Sequence, residues 1–350
     1  MNKVVKKEWA ELPSIWNELL DQNPTATPFQ SYAYLTFTGK GKSQRNDLFR
    51  ILGLHELNLV LYADHAPVAI APLLYKRKNG KATVYFRGHF TAANQLDIVY
   101  AALRYDEFQF LMDGVREILG DVSFFLDRVY CKSPTSDYLK KYLASAEIQE
   151  HEGYALSIPE HYEDWFTGLH KSPRQKINNT KNRMAKDNIQ CTTAFYVREK
   201  IDPSVYKKMM LIYVDRFLIK NHFCFGPFQY IVEKALQIYL TKDRMSRYLN
   251  NGDCGFHVVV YMNQEVAAFI SGLFCKDKRI LCNRLAINTK FGRYSPGAVL
   301  LSEIIRYLAE QKEANRIDSE LLDMGQGCQG GMSYKTAYCG EGYINYTFIE

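Results

Sequence analysis

Apolar positions recur at helical spacing from Glu8 to Leu20, through Trp9, Leu12, Trp16, Leu19 and Leu20, until Asn23 to Pro28 breaks the pattern. The pattern then changes. Leu57 to Tyr62 and Val68 to Tyr75 are strand-like runs joined by Ala63–Pro67, which predicts a hairpin. Lys76 to Lys81 is a charged turn with Asn79-Gly80, and Thr83 to Arg87 resumes as a strand. An amphipathic helix over Phe108 to Leu119, a strand over Val122 to Leu126 and a helix over Asp137 to Ser145 follow. From the hairpin onward the order is β-β-β-α-β-α.

The second half repeats it. Gln190 to Val197 reads as a strand, and Asp202 as an N-cap with Pro203 at the first position of a helix running to about Lys220. A helix over Pro227 to Leu240 comes next, then strands over His257 to Tyr261 and Val266 to Cys275 around the Met262–Glu265 turn. Arg279 to Ile287 is a third strand, Pro296 to Glu310 a helix, and Glu320 to Asp323 and Tyr343 to Ile349 are strands. Two copies of one α+β unit are predicted, with a basic helical segment, His161 to Asn188, between them.

Composition narrows the class. With 350 residues, 47% of them hydrophobic, the chain can fill a core, and bulk disorder is excluded. Forty-four Lys plus Arg against 38 Asp plus Glu leave +6, a mild basic excess that favours an anionic ligand and falls far short of a dedicated nucleic-acid binder. Lys3, Lys6 and Lys7 are followed by Pro13, Asn17, Glu18 and Asp21 instead of an apolar run, so no signal peptide is expected. Val266 to Cys275, broken by Ser271 and Gly272, is far shorter than the roughly 20 residues of a membrane span. The eight cysteines form no Cys-x-x-Cys, and His222 with Cys224 is the nearest approach to a ligand pair. No metal site is expected, and reduced thiols point to the cytoplasm. Neither a Gly-x-Ser-x-Gly elbow nor a phosphate-loop Gly-x-x-x-x-Gly-Lys-Ser/Thr occurs, and Cys328 has no His near it in sequence.

The most informative segment is Leu285 to Leu301. A strand ends at Ile287, Asn288 begins a loop carrying Lys290 and Arg293, and a helix opens at Ser295-Pro296-Gly297-Ala298. A helix start presents unsatisfied N–H groups and partial positive charge, suited to a phosphate. Gly297 lacks a Cβ and would let a diphosphate approach. An ordinary well-capped helix fits the spacing equally well. Arg284, mid-strand among Leu281, Cys282 and Leu285, either faces a site or lies on the outer face by alternation.

Strand, hairpin, strand and glycine-bearing helix start together resemble the core of the GNAT acyltransferase fold. Its usual Gln/Arg-x-x-Gly-x-Gly/Ala pattern is here Gly292-Arg293-Tyr294-Ser295-Pro296-Gly297, with Ser295 at the earlier glycine. Tyr-Ser-Pro-Gly at this point is similar to the CelD-type (cellulose biosynthesis) branch, related to the FemAB peptidoglycan enzymes. Leu322-Asp323-Met324-Gly325-Gln326-Gly327 followed by Tyr334-Lys335, the basic helix over Lys171 to Arg183, Thr27-Pro28-Phe29-Gln30-Ser31, Ala69 to Leu73 and the Asp97 segment also match, so the likeness spans nearly the whole chain. It implies two tandem GNAT-like units, each a mixed, mostly antiparallel sheet flanked by helices: residues 1–160, degenerate at the donor site, and residues 161–350, carrying it. In the first copy Arg87-Gly88-His89-Phe90 leads to polar Thr91–Gln95 instead of a glycine-bearing helix start, and that copy is expected to shape the acceptor cleft.

The resemblance implies transfer of an acetyl or longer acyl group from acyl-CoA to an amine, with an amino sugar of a cell-surface polysaccharide as the acceptor by analogy. The donor would be held by Ile287, Asn288, Arg293, Ser295, Gly297 and Ala298, with a backbone N–H between Leu285 and Asn288 on the thioester carbonyl. Asp323 is the candidate base or ammonium holder, against a turn-capping role. Tyr334 or Tyr294 is the candidate proton donor to the thiolate, and Arg284 and Lys335 are candidate substrate contacts. Lys171, Arg174, Lys176, Lys181, Arg183 and Lys186, with no acid among them, form either a solvated helical face or a contact for a phosphorylated acceptor or RNA. Aminoacyl transfer from tRNA, transfer from acyl carrier protein, and a non-catalytic binding role stay open.

Overall fold

The computed structural model describes residues 2–39, 53–89, 93–220, 230–236, 238, 253–326, 334–338 and 340–350. They fall into two compact units, Met1–Gly153 with Tyr343–Glu350, and Tyr154–Gly342. The division thus comes seven residues before the expected one at 160, and the strand over residues 343–350 belongs to the first unit instead of the second.

In the first unit β1 (Asn2–Lys6), β2 (His55–Ala63), β3 (Ala66–Lys78) and β4 (Lys81–Phe86) form an antiparallel meander. The helix Tyr105–Leu119 leads to β6 (Val122–Tyr130), which lies parallel to β4, and short β5 (Val99–Tyr100) pairs with β3. The strand β13 (Glu341–Ile349) adds antiparallel to β6, from Asn345 opposite Tyr130 to Ile349 opposite Phe125. β1 and β5 escape a reading by pattern, since five and two residues show too little alternation, and so does β7 (Glu147–Ser157), whose first half is almost wholly exposed.

The second unit repeats the plan. β8 (Cys191–Val197), β9 (Gly255–Met262), β10 (Glu265–Phe274) and β11 (Arg279–Ile287) are an antiparallel meander. The helix Pro296–Glu313 crosses to β12 (Leu321–Gln326), parallel to β11. Both hairpins turn through two residues at positive φ, Asp64-His65 in one and Asn263-Gln264 in the other, the geometry that matches the twist of paired strands. Of the expected helix over Pro227 to Leu240, residues 230–236 and 238 are helical, and the rest lies outside the described residues.

Helices cover both faces of the second sheet, as period-two alternation requires. Leu300, Ile304 and Leu308 of the Pro296–Glu313 helix, four apart, pack with Val258, Val260, Ile270, Ile280 and Leu322. Each fully buried aliphatic side chain contributes about 1.5–3 kcal/mol. The intervening residues, Val259, Phe269 and Ala286, meet Met209 and Met210 of the helix Pro203–Lys220 on the other face. That helix starts as its sequence predicts, with Asp202 Oδ1 accepting the Ser204 N–H at 2.6 Å.

Candidate active site

The site begins where two strands part. β11 and β12 are in parallel register at Arg279–Leu321, Ile280–Leu322 and Leu281–Asp323, and their pairing goes no further, although β11 continues to Ile287 and β12 to Gln326. On its other edge β11 stays paired with β10 as far as Ile287, with a bulge at Ser271/Gly272 opposite Asn283. Asn288 N–H donates to Ala267 C=O across this edge at 2.8 Å. Antiparallel alternation therefore turns the N–H groups of Leu285 and Ile287 to the opposite edge, into the gap left by β12.

A cavity of about 350 Å³ occupies this gap. Leu285, Ala286 and Ile287 of β11, Met324 of β12, and Gly292, Ser295, Pro296, Gly297 and Ala298 around the helix start line it. Ser295 does not cap the helix with its hydroxyl. It sits at φ +43° and ψ +57°, in the left-handed region that favours glycine, and its carbonyl accepts from Ala298 N–H at 2.9 Å and Val299 N–H at 3.4 Å. Pro296 has no N–H, so the Gly297 amide is the first-turn donor without an acceptor among the described residues. A Cβ on Gly297 would stand 3.4 Å from Ile287 Cγ2, another wall of the cavity. The expected row of free amides at this helix start is thus reduced to Gly297.

Several candidate residues have other partners. Asp323, fully buried, accepts from Arg279 Nη1 at 3.0 Å and from Gly325 N–H at 2.8 Å. This is a turn-holding buried ion pair, the alternative role read from sequence, and its carboxylate does not line the cavity. Lys335, also buried, donates to the carbonyls of Met324, Gly325 and Gln326 at 2.6, 2.8 and 2.5 Å and so closes the end of β12 instead of reaching for a phosphate. Tyr294 donates to Asp187 Oδ2 at 2.9 Å, a hydrogen bond that raises its pKa, and Arg293 pairs with the same carboxylate at 3.3 Å. Asn288 caps the following turn, its Oδ1 accepting from Lys290 N–H at 3.0 Å. Tyr334 begins the short helix Tyr334–Ala337, and its side chain lies outside the described residues.

Arg284 is 5% exposed under the Pro203–Lys220 helix. Its Nη1 contacts Met210 Sδ at 3.5 Å, and its guanidinium stacks 4.4 Å from the centre of the Tyr213 ring.

Residues 242–336 match a family model described as an acetyltransferase (GNAT) domain. No curated protein matches the sequence. Among solved structures, FemX aligns over 99% of this chain and 97% of its own at 10% identity and a TM-score of 0.57. A tandem GNAT protein from the clavulanic acid biosynthesis pathway aligns over 100% and 98% at 12% identity and 0.55. The carboxyl-terminal domain of a putative lysylphosphatidylglycerol synthetase from Agrobacterium fabrum aligns over 98% and 92% at 12% identity and 0.52. The fold is that of the GNAT-like acyltransferase superfamily.

In the second GNAT-like unit the parted strands and the Pro296 helix start form one continuous site, and two contributors to it, Arg216 and Tyr338, were not legible. Lys176, Arg216 and Tyr338 all line the cavity. Lys176 lies on the exposed face of the basic helix Lys171–Lys186, Arg216 near the end of the Pro203 helix, and Tyr338 directly after the Tyr334–Ala337 helix. Burial raises the Tyr338 phenol pKa, which keeps it protonated. Tyr338 is one of 25 tyrosines, and periodicity carried no signal to single it out.

An acyl-CoA fits this donor set. The unpartnered Gly297 amide and the Lys176 and Arg216 cations suit a diphosphate, while Leu285, Ala286, Ile287, Leu300 and Met324 supply an apolar wall for the thioester arm. Among the described residues no group of three or more His, Cys, Asp or Glu side chains could hold a metal ion, and no helix is long and apolar enough to cross a membrane.

Proposed function

We propose that the chain is an N-acyltransferase that moves an acetyl or longer acyl group from acyl-CoA to an amine. The observation that carries this reading is the cavity between the parted ends of β11 and β12, closed by a helix start with an unpartnered amide at Gly297. The amine nitrogen attacks the thioester carbonyl carbon, the C–N bond forms and the C–S bond breaks. The N–H groups of Leu285 and Ile287, directed into the gap, stabilise the negative charge that develops on the carbonyl oxygen. Tyr338 gives the departing thiolate its proton. Among the described residues no Asp, Glu or His lines the cavity, and in this reading the proton leaving the amine passes to water. A coenzyme A donor places the reaction in the cytoplasm, and an amino sugar of a cell-surface polysaccharide is the acceptor that the CelD-type resemblance favours.

A second reading, aminoacyl transfer from tRNA, is favoured by one observation. The Lys171–Lys186 helix is free of acidic residues and exposes Lys171, Lys176, Lys181, Arg183 and Lys186, of which Lys176 reaches the cavity.

Calorimetric titration with acetyl-CoA, followed by a thiol-release assay over a panel of amines, tests both. Saturable binding and amine-dependent thiol release are expected. Absence of binding at millimolar acetyl-CoA, with retention of aminoacyl-tRNA, would replace the first reading by the second.

A further inference from the structure

A buried arginine ordinarily has a carboxylate beside it, because taking a cation out of water costs several kcal/mol unless it is paired. Arg279, five residues earlier on the same strand, follows the rule with Asp277 and Asp323. Arg284 does not. It is 5% exposed, no carboxylate pairs with it among the described residues, and its Nε has no hydrogen-bond partner. Its polar contact is the thioether of Met210, a weak acceptor. Beside it, Tyr206 is 5% exposed with an unpartnered hydroxyl, and Asn283, the bulge residue, has both amide atoms buried and unpartnered. Across the pair, Ser271 offers nothing, since its hydroxyl is joined to His257 Nδ1 at 3.0 Å.

This polar set neighbours the donor cavity along β11. Arg284 and Ala286 lie on the same face of β11, under the Pro203–Lys220 helix, about 7 Å apart along the strand. Ala286 lines the cavity, as does Arg216 of that helix. A guanidinium fork stacked on Tyr213, with a phenol beside it, is built to receive two oxygens of one planar or tetrahedral oxyanion. We propose that Arg284 and Tyr206 bind an anionic group of the acceptor, so that the acceptor is an amine that also carries a carboxylate or a phosphate. The proposal rests on the acyl-transfer reading and specifies its substrate class. Arg284 is then a specificity residue that touches substrate, and the destabilisation of the unliganded protein by its unpaired charge is relieved when the acceptor arrives.

The test has an arm that does not depend on catalysis. Thermal unfolding is followed at constant ionic strength with sodium phosphate, sodium succinate or sodium chloride, for the wild type and R284M. Phosphate or succinate is expected to raise the Tm of the wild type above its value in chloride, and whichever anion acts identifies the source as phosphate or carboxylate. R284M is expected to lose that increment and to unfold at a higher temperature than the wild type without ligand. Equal increments in both proteins, or none in the wild type, would overturn the proposal.

In the second arm, kcat/KM is compared for hexosamine phosphates against the parent hexosamines and for amino acids against their amides. The wild type should prefer one anionic member by about 100-fold, chiefly through KM, and R284M should bring that ratio close to one. R284K, which keeps the charge and loses the fork, should fall between, as should Y206F; these two also serve if R284M fails to fold. A wild-type ratio near one would overturn the acceptor assignment. Arginine-dependent anion binding without thiol release from any amine would overturn the acyl-transfer reading and leave the anion site standing.

Discussion

Asp323 and Lys335 stand where a catalytic carboxylate and a phosphate-binding lysine were expected, and both are instead committed to holding the end of β12. An aspartate after a strand and before a glycine reads the same from sequence whether it serves a turn or a substrate; only the parallel register, which puts Asp323 beside Leu281 and within reach of Arg279, separates the two. Replacing Asp323 by Asn should therefore act on stability. It leaves the buried Arg279 short of one charge partner, and a loss of about 3–5 kcal/mol by urea unfolding is expected. A fully stable D323N with reduced turnover would return the residue to the mechanism. The opposite holds at Tyr338, which lines the cavity. Y338F should retain the wild-type Tm within a degree or two and lose about 10–100-fold in kcat, with acetyl-CoA affinity nearly unchanged.

At the scale of elements, much of the fold was legible. Arg279–Ile287 has the predicted bounds, the Pro296 helix begins at its proline, and Asp202 caps the helix it was expected to cap. Strong alternation and proline at a first turn are local signals, and local signals survive folding. Ser295 shows where they stop. Serine before proline predicts a capping hydroxyl, yet the tight turn from Thr289–Tyr294 into the helix forces Ser295 to left-handed φ, a conformation that costs roughly 1–2 kcal/mol outside glycine. The GNAT pattern places glycine at this position, so the substitution keeps the backbone path at the expense of strain. Gly297 remains, and its amide is the one proposed to meet the diphosphate. G297V would put two methyl groups between the amide and a diphosphate, with Ile287 already 3.4 Å from the Cβ. Acetyl-CoA binding by calorimetry should weaken at least about 10-fold while far-ultraviolet circular dichroism stays the same. Undiminished affinity would move the diphosphate away from this helix start.

At the scale of the whole molecule, the two units share a plan but not their buried chemistry. In the first, partly buried Asp97 accepts from the Ser133 hydroxyl and from Ile98 N–H at 2.8 Å, and desolvation pushes its pKa up to about 6. A carboxyl whose folded pKa is raised binds its proton more tightly in the native state, so stability is highest below the unfolded value near 4 and falls as pH rises through about 6. Between pH 4.5 and 7.5 the wild type should lose about 1–3 kcal/mol relative to D97N in urea unfolding; parallel pH profiles would show that the site is solvated. The second unit has its own counterpart in Arg284, buried without a carboxylate among the described residues, so both units carry a charge that folding alone does not favour.

The pairing of β13 with β6 was beyond sequence reading, because alternation says that a strand exists and not which sheet it joins. It sets an order of events on the ribosome. The residues that complete the first unit are translated after every residue of the second, so the amino-terminal sheet waits with the edge of β6 uncovered while some 190 residues are synthesised, on the order of 10–40 seconds at roughly 5–20 residues per second. An exposed edge of that kind invites pairing with other chains, and the nascent protein is most in need of a chaperone during that interval.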